Sequence, residues 1–89
     1  MASRTVQVSN RRGLHARASA KFVTLAAELD AQVEVEKDGT VVCGTSIMGL
    51  MMLGAAMGDE IIISAAGERA DEAVERLAEL VEARFHEDA

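Results

Sequence analysis

Along this chain the apolar residues recur alternately at strand spacing and at helix spacing, and that alternation restricts the fold to a sheet layer packed on a helix layer. Val6 and Val8 alternate with polar residues, which predicts a half-buried strand near 4–9. Asn10-Arg11-Arg12-Gly13 breaks the pattern. From Ala16 to Leu29 the residues Ala18, Phe22, Leu25 and Leu29 fall at helical spacing, leaving Lys21, Thr24 and Glu28 towards water. Val33 and Val35 return to alternation, and Asp38-Gly39 supplies a hairpin turn before Val41-Val42-Cys43. Thr45-Ser46 offers a helix N-cap ahead of an apolar run that stops at Gly54. Ile61-Ile62-Ile63 reads as a central strand. Finally Ala70, Val74, Leu77, Val81 and Phe85 trace a stripe on a helix of about four turns, with Asp71 and Glu72 at its start and a Glu72–Arg76 pair. The predicted order is β-α-β-β-α-β-α, an α+β fold with its helices against one face of the sheet.

At 89 residues the chain is expected to form a single domain, 1–89, with a 49 % apolar content sufficient for a core. Cys43 is the lone cysteine, so neither an internal disulfide nor a thiolate zinc site is expected. No apolar run approaches a membrane span and the N-terminus lacks a signal-peptide core, so a soluble, cytoplasmic protein with no membrane insertion is expected. The net charge of −6 is unevenly placed. Arg4, Arg11, Arg12, Arg17 and Lys21 occupy residues 1–22 without a single acid, while the rest is strongly acidic. Overall acidity, with Phe22 and Phe85 the only aromatics, argues against nucleic acid as a partner. A small basic spot suits a compact anion or the acidic edge of a protein.

That spot centres on Gly13-Leu14-His15-Ala16-Arg17-Ala18-Ser19. His15 falls where loop becomes helix, facing the free N–H groups and the positive dipole end of the first turn. Arg17 can bring a guanidinium to the same place. An imidazole, with an ordinary pKa of ~6.5, is nucleophilic at neutral pH, and a neighbouring anion pocket would hold a phosphoryl group that it accepted. Taken alone, a histidine beside an arginine is more often an indifferent surface cap.

The second segment is Gly44-Thr45-Ser46-Ile47-Met48-Gly49-Leu50-Met51-Met52-Leu53-Gly54. It carries no charge. Ile47, Leu50 and Leu53 can face inwards, which leaves some of Met48, Met51 and Met52 exposed as an adaptable docking patch with Ser46 on its rim. The plainer reading is a capped helix with a Met-filled core.

Together, Gly13–Ser19, the Asp38-Gly39 hairpin and Gly44–Gly54 resemble the HPr family, the histidine-containing phosphocarriers of the bacterial phosphoenolpyruvate-dependent phosphotransferase system. The resemblance runs over roughly residues 4–85. It implies an open-faced β-sandwich: a four-stranded antiparallel sheet with three helices on one face. It also implies a carrier rather than an enzyme. His15 would take phosphoryl from phosphorylated Enzyme I and pass it to an Enzyme IIA domain, assisted by Arg17 and by a phosphoryl-binding segment Ala16, Arg17 and Ala18. Ile47, Met48, Met51 and Met52 would dock partners, and Ser46 would be the regulatory site of an HPr kinase/phosphorylase. A monomer needing no cofactor and no metal is expected.

Ala18 stands where the family usually has proline, in the string H-A-R-P. Proline fixes φ in the first helical turn, so alanine leaves the pocket less preorganised. Ala18 and the Met-rich helix lean towards the regulatory, nitrogen-type branch, with sugar uptake kept open. Two other classes compete. An anion-sensing module would use Ser19, Arg17 and backbone donors but not His15. A soft-metal carrier on Cys43, Met48, Met51 and Met52 lacks a C-x-x-C and places its methionines on different helix faces. His86 reads as a solvated tail residue and Cys43 as a small buried or edge hydrophobe.

Overall fold

The computed structural model describes residues 1–87 and carries the expected element order. These are β1 (Ala2–Gln7), α1 (Ala16–Glu28), β2 (Gln32–Lys37), β3 (Thr40–Cys43), α2 (Ile47–Met52), β4 (Glu60–Ala66) and α3 (Ala70–Glu82). The strands form one antiparallel sheet in the order β1-β4-β2-β3. Alternation along the strands sorts its two faces. Val6 opposite Ile61, Val35 opposite Ile63 and Val33 opposite Ala65 are buried beneath the helices. Thr5, Gln32 and Glu34 lie on the other, exposed face. Asp38 and Gly39, both with positive φ, make the tight turn between β2 and β3, as the dipeptide predicts.

β1 begins earlier than the 4–9 reading and ends at Gln7. Val8 lies just past it and is still fully buried, because its backbone bonds Asp59 and Gly58 at the entry to β4. Arg4 lies on the inner face of this edge strand and pairs with Glu75 and Glu82 of α3. An inward-pointing charge also discourages edge-to-edge pairing. Arg4 is thereby removed from the basic spot to which the sequence assigned it.

α3 stops at Glu82, so Phe85 does not continue its stripe as expected. A single 3-10 turn follows at Arg84–His86, and all three of its residues have positive φ, 57°, 54° and 59°. Left-handed backbone costs about 1–2 kcal/mol for each non-glycine residue. Burial of the Phe85 ring, which has no exposed surface, returns about 1.5–3 kcal/mol of that. Phe85 reaches the core by reversing the chain, not by extending the helix.

Candidate functional site

Gly13 brings the loop before α1 into its pose. Its φ is +64°, and a Cβ there would fall onto the Ala55 carbonyl oxygen, so only glycine fits against that strand-entry loop. Leu14 is buried and bonds the same carbonyl through its N–H at 3.0 Å, which fixes the start of α1. His15 is the N-cap, in extended conformation. The first intrahelical bond runs from Ser19 N–H to His15 O at 2.9 Å, so the N–H groups of Ala16, Arg17 and Ala18 lie ahead of it. Arg17 N–H donates to His15 Nδ1 at 3.3 Å.

The other ring nitrogen has an unexpected partner. His15 Nε2 lies 2.5 Å from Glu87 Oε2. An ionised carboxylate only accepts, so Nε2 carries the ring proton and Nδ1 keeps the lone pair that accepts from Arg17. Glu87 is itself held. Asn10, 1 % exposed, donates through Nδ2 to Glu87 Oε1 at 3.3 Å and to Gly13 O at 2.8 Å. Asn10 Oδ1 is buried without a partner among the described residues. The amide is thus turned by what its NH₂ group meets. Burial pushes the Glu87 carboxyl up, but hydrogen bonds from His15 and Asn10, with the charges of His15 and Lys21, outweigh it and hold the group below its ordinary 4.5.

A cleft of about 450 Å³ opens over this cluster, lined by Arg11, Arg12, His15, Arg17, Lys21, His86 and Glu87. The structure therefore brings together His15, Arg17 and the first-turn segment Ala16–Ala18, as the sequence reading required. It adds four residues that reading missed or placed elsewhere. Lys21, assigned to the wet face, donates from Nζ to Phe85 O at 2.7 Å. His86 is exposed but lines the cleft. Glu87 and Asn10 carried no local signal, since their meeting with His15 depends on the left-handed turn. Ser19 is fully buried and gives its hydroxyl to Leu14 O, which removes it from any anion site.

Ser46 caps α2 as expected, its Oγ accepting from Gly49 N–H at 3.0 Å. Leu50 and Leu53 face inwards, but Ile47 is 40 % exposed and joins Met48 (72 %), Met51 (43 %) and Met52 (81 %) on the surface. The inward reading of Ile47 fails because a helix of six residues buries only its central turn. Met57, 60 % exposed, was not singled out by the sequence. Cys43 lies exposed on edge strand β3, where hydrogen bonding to Thr45 lowers its thiol below the usual value. Among the described residues, no group of three metal-ligating side chains converges and no helix is long and apolar enough to cross a membrane.

The family model described as "PTS HPr component phosphorylation site" matches residues 2–83. The chain belongs to the HPr family. It is 43 % identical over 83 residues to the phosphocarrier protein HPr of Pseudomonas aeruginosa, covering 92 % of each. It is 38 % identical over 84 residues to the phosphocarrier protein NPr of Shewanella violacea, covering 94 % of this chain and 92 % of the other. The crystal structure of HPr-C-His from Thermoanaerobacter tengcongensis superposes with a TM-score of 0.94 at 40 % identity, over the whole of both chains. The HPr fold, a four-stranded antiparallel sheet with three helices, is therefore established here, as is the role of a phosphotransferase-system phosphocarrier rather than a turnover enzyme.

Proposed function

We propose that His15 accepts a phosphoryl group from phosphorylated Enzyme I and hands it to an Enzyme IIA domain. The observation that carries this reading is the division of labour at the ring: Nε2 holds the proton against Glu87, and Nδ1 turns its lone pair to the first turn of α1. Nδ1 attacks phosphorus and the bond from phosphorus to the donor breaks, its electron pair leaving with the donor. Arg17 N–H, no longer bonded to the ring nitrogen, is then free to meet a phosphoryl oxygen, with Ala16 and Ala18 N–H beside it. The Arg17 guanidinium forms no ion pair among the described residues and is available for the same charge. The carrier is proposed to act as a monomer in the cytoplasm.

Ile47, Met48, Met51 and Met52 are the proposed docking surface for both partners, because adaptable apolar side chains cluster there. Ser46 is the proposed regulatory site for a kinase of the HPr kinase/phosphorylase type, its half-buried side chain lying on the rim of that surface. Relatives named HPr and NPr match to similar extents, so the reading commits to the step they share and leaves sugar uptake and nitrogen-type regulation as its two settings.

The test uses phosphoenolpyruvate, Enzyme I and mass spectrometry of acid-labile phosphate. The parent should gain one phosphoryl group. His15→Ala should gain none while folding, with a loss of about 1 kcal/mol for the missing cap. Undiminished labelling of that variant overturns the assignment and moves the site to His86.

A further inference from the structure

A pocket that receives a phosphoryl dianion is poorly served by a fixed carboxylate, yet Glu87 is tucked into it with its side chain 14 % exposed. Its position resolves the conflict. Glu87 faces Nε2, on the far side of the ring from Nδ1. The charge it meets is therefore the one the ring acquires.

When Nδ1 bonds phosphorus while Nε2 keeps its proton, the ring becomes an imidazolium. Phosphoryl departure from that cation releases neutral imidazole. If Nε2 loses its proton first, departure must release imidazolate, a far poorer leaving group. The other charged groups around the ring work against the proton. Arg11 and Arg12 come from the loop before α1, Arg17 and Lys21 from α1, and the titratable His86 from the tail. Among the described residues lining this cleft, Glu87 is the carboxylate that opposes them.

We infer that Glu87, steadied by Asn10, is a positioning residue for phosphoryl release: it retains the Nε2 proton of phosphorylated His15 and so keeps the phosphorus–nitrogen bond easy to break. The inference rests on His15 being the acceptor. The left-handed turn gives it structural support, since three strained residues and the Lys21 bond to Phe85 O place Glu87 where it is. Among the described residues the Glu87 carboxylate hydrogen-bonds the ring and Asn10, so it acts through His15.

The experiment compares the parent, Glu87→Gln and Glu87→Asp, each phosphorylated with phosphoenolpyruvate and Enzyme I. Release to an Enzyme IIA domain is timed between about pH 6 and pH 9, below the melting temperature of all three. At about pH 6 the parent and Glu87→Gln should release at equal rates, because Nε2 is protonated in both. At about pH 8 Glu87→Gln should be roughly tenfold slower, its alkaline limb having moved down by about one unit. Glu87→Asp, which keeps the charge, should recover part of that loss. In the unphosphorylated proteins, ring ¹⁵N shifts should show the proton on Nε2 in the parent and a mixture of tautomers in Glu87→Gln. A Glu87→Gln profile that overlays the parent's, or one lowered equally at every pH, overturns the inference while leaving His15 as acceptor. A parent that takes no phosphoryl on His15 overturns the proposed function, and this inference with it.

Discussion

Lys21 donates from Nζ to the carbonyl of Phe85 across 2.7 Å, tying the middle of α1 to the reversed tail. Beyond that carbonyl the chain runs directly to Glu87. Lys21→Met keeps the stem and removes the charged donor. It should cost about 1 kcal/mol of stability and expose the Glu87 amide, now bonded to Arg84 O, to faster hydrogen exchange. Unchanged exchange at the tail would show that Phe85 burial alone holds it.

The Glu87 carboxyl is held below 4.5, so the folded state binds its proton less readily than the unfolded chain does. Its contribution to stability is therefore fully present above pH 4.5 and is lost as pH falls through the depressed folded value. In His15→Ala the hydrogen bond that lowers it is gone while burial remains. The Glu87 titration, followed by side-chain carboxyl NMR, should then move up, and the acid-side loss of stability attributable to this group should shrink. A titration that stays put would mean Asn10 and Lys21 suffice.

Arg17 is exposed and its guanidinium forms no ion pair among the described residues, which leaves its charge free for the phosphoryl group proposed at His15. Charge-assisted bonds to phosphate are worth about 1.5–3 kcal/mol each. Arg17→Ala should slow transfer roughly tenfold or more by this measure, with stability within about 0.5 kcal/mol of the parent. Matched losses of rate and stability would assign Arg17 to structure.

Ser46→Asp places one negative charge beside Ile47, Met48, Met51 and Met52. A docking loss of about 1 kcal/mol raises the apparent KM for Enzyme I roughly fivefold and leaves the maximal rate little changed. The melting temperature should hold, because the charge sits at the start of α2. An unchanged KM with a collapsed maximal rate would point to distortion at His15 instead.

His86 is exposed at φ 59°, a conformation glycine adopts without a Cβ penalty. His86→Gly should raise unfolding stability by about 0.5–1 kcal/mol, the left-handed cost less the added chain entropy. Chemical denaturation measures it, and a net loss would show that the His86 side chain contributes more than its exposure suggests.

Much of the fold was legible because each signal was local. The strand alternation of Val33 and Val35, the Asp38-Gly39 turn and the Ser46 cap depend on neighbours within a few residues. His15 was legible for the same reason, standing at a loop-to-helix boundary. The reversal at Arg84–His86 was not, because no Gly or Asn marks it and three non-glycine residues adopt left-handed backbone only under the pull of Phe85. Glu87 at His15 and Arg4 at Glu75 were hidden by sequence distance, 72 and 71 residues respectively. Ile47 misled because periodicity assumes a helix long enough to have a buried side.

The pocket joins Asn10 and His15 to Glu87, which follows them by 77 and 72 residues. During synthesis His15, the proposed acceptor, is made well before residue 87 and stays without its carboxylate until that residue has cleared the ribosome. A chain that stops short of residue 87 would then, on the proposed roles, present a histidine that can be charged yet discharges sluggishly at alkaline pH. On the role proposed for Glu87, the relay becomes balanced only once that residue has folded back onto the ring.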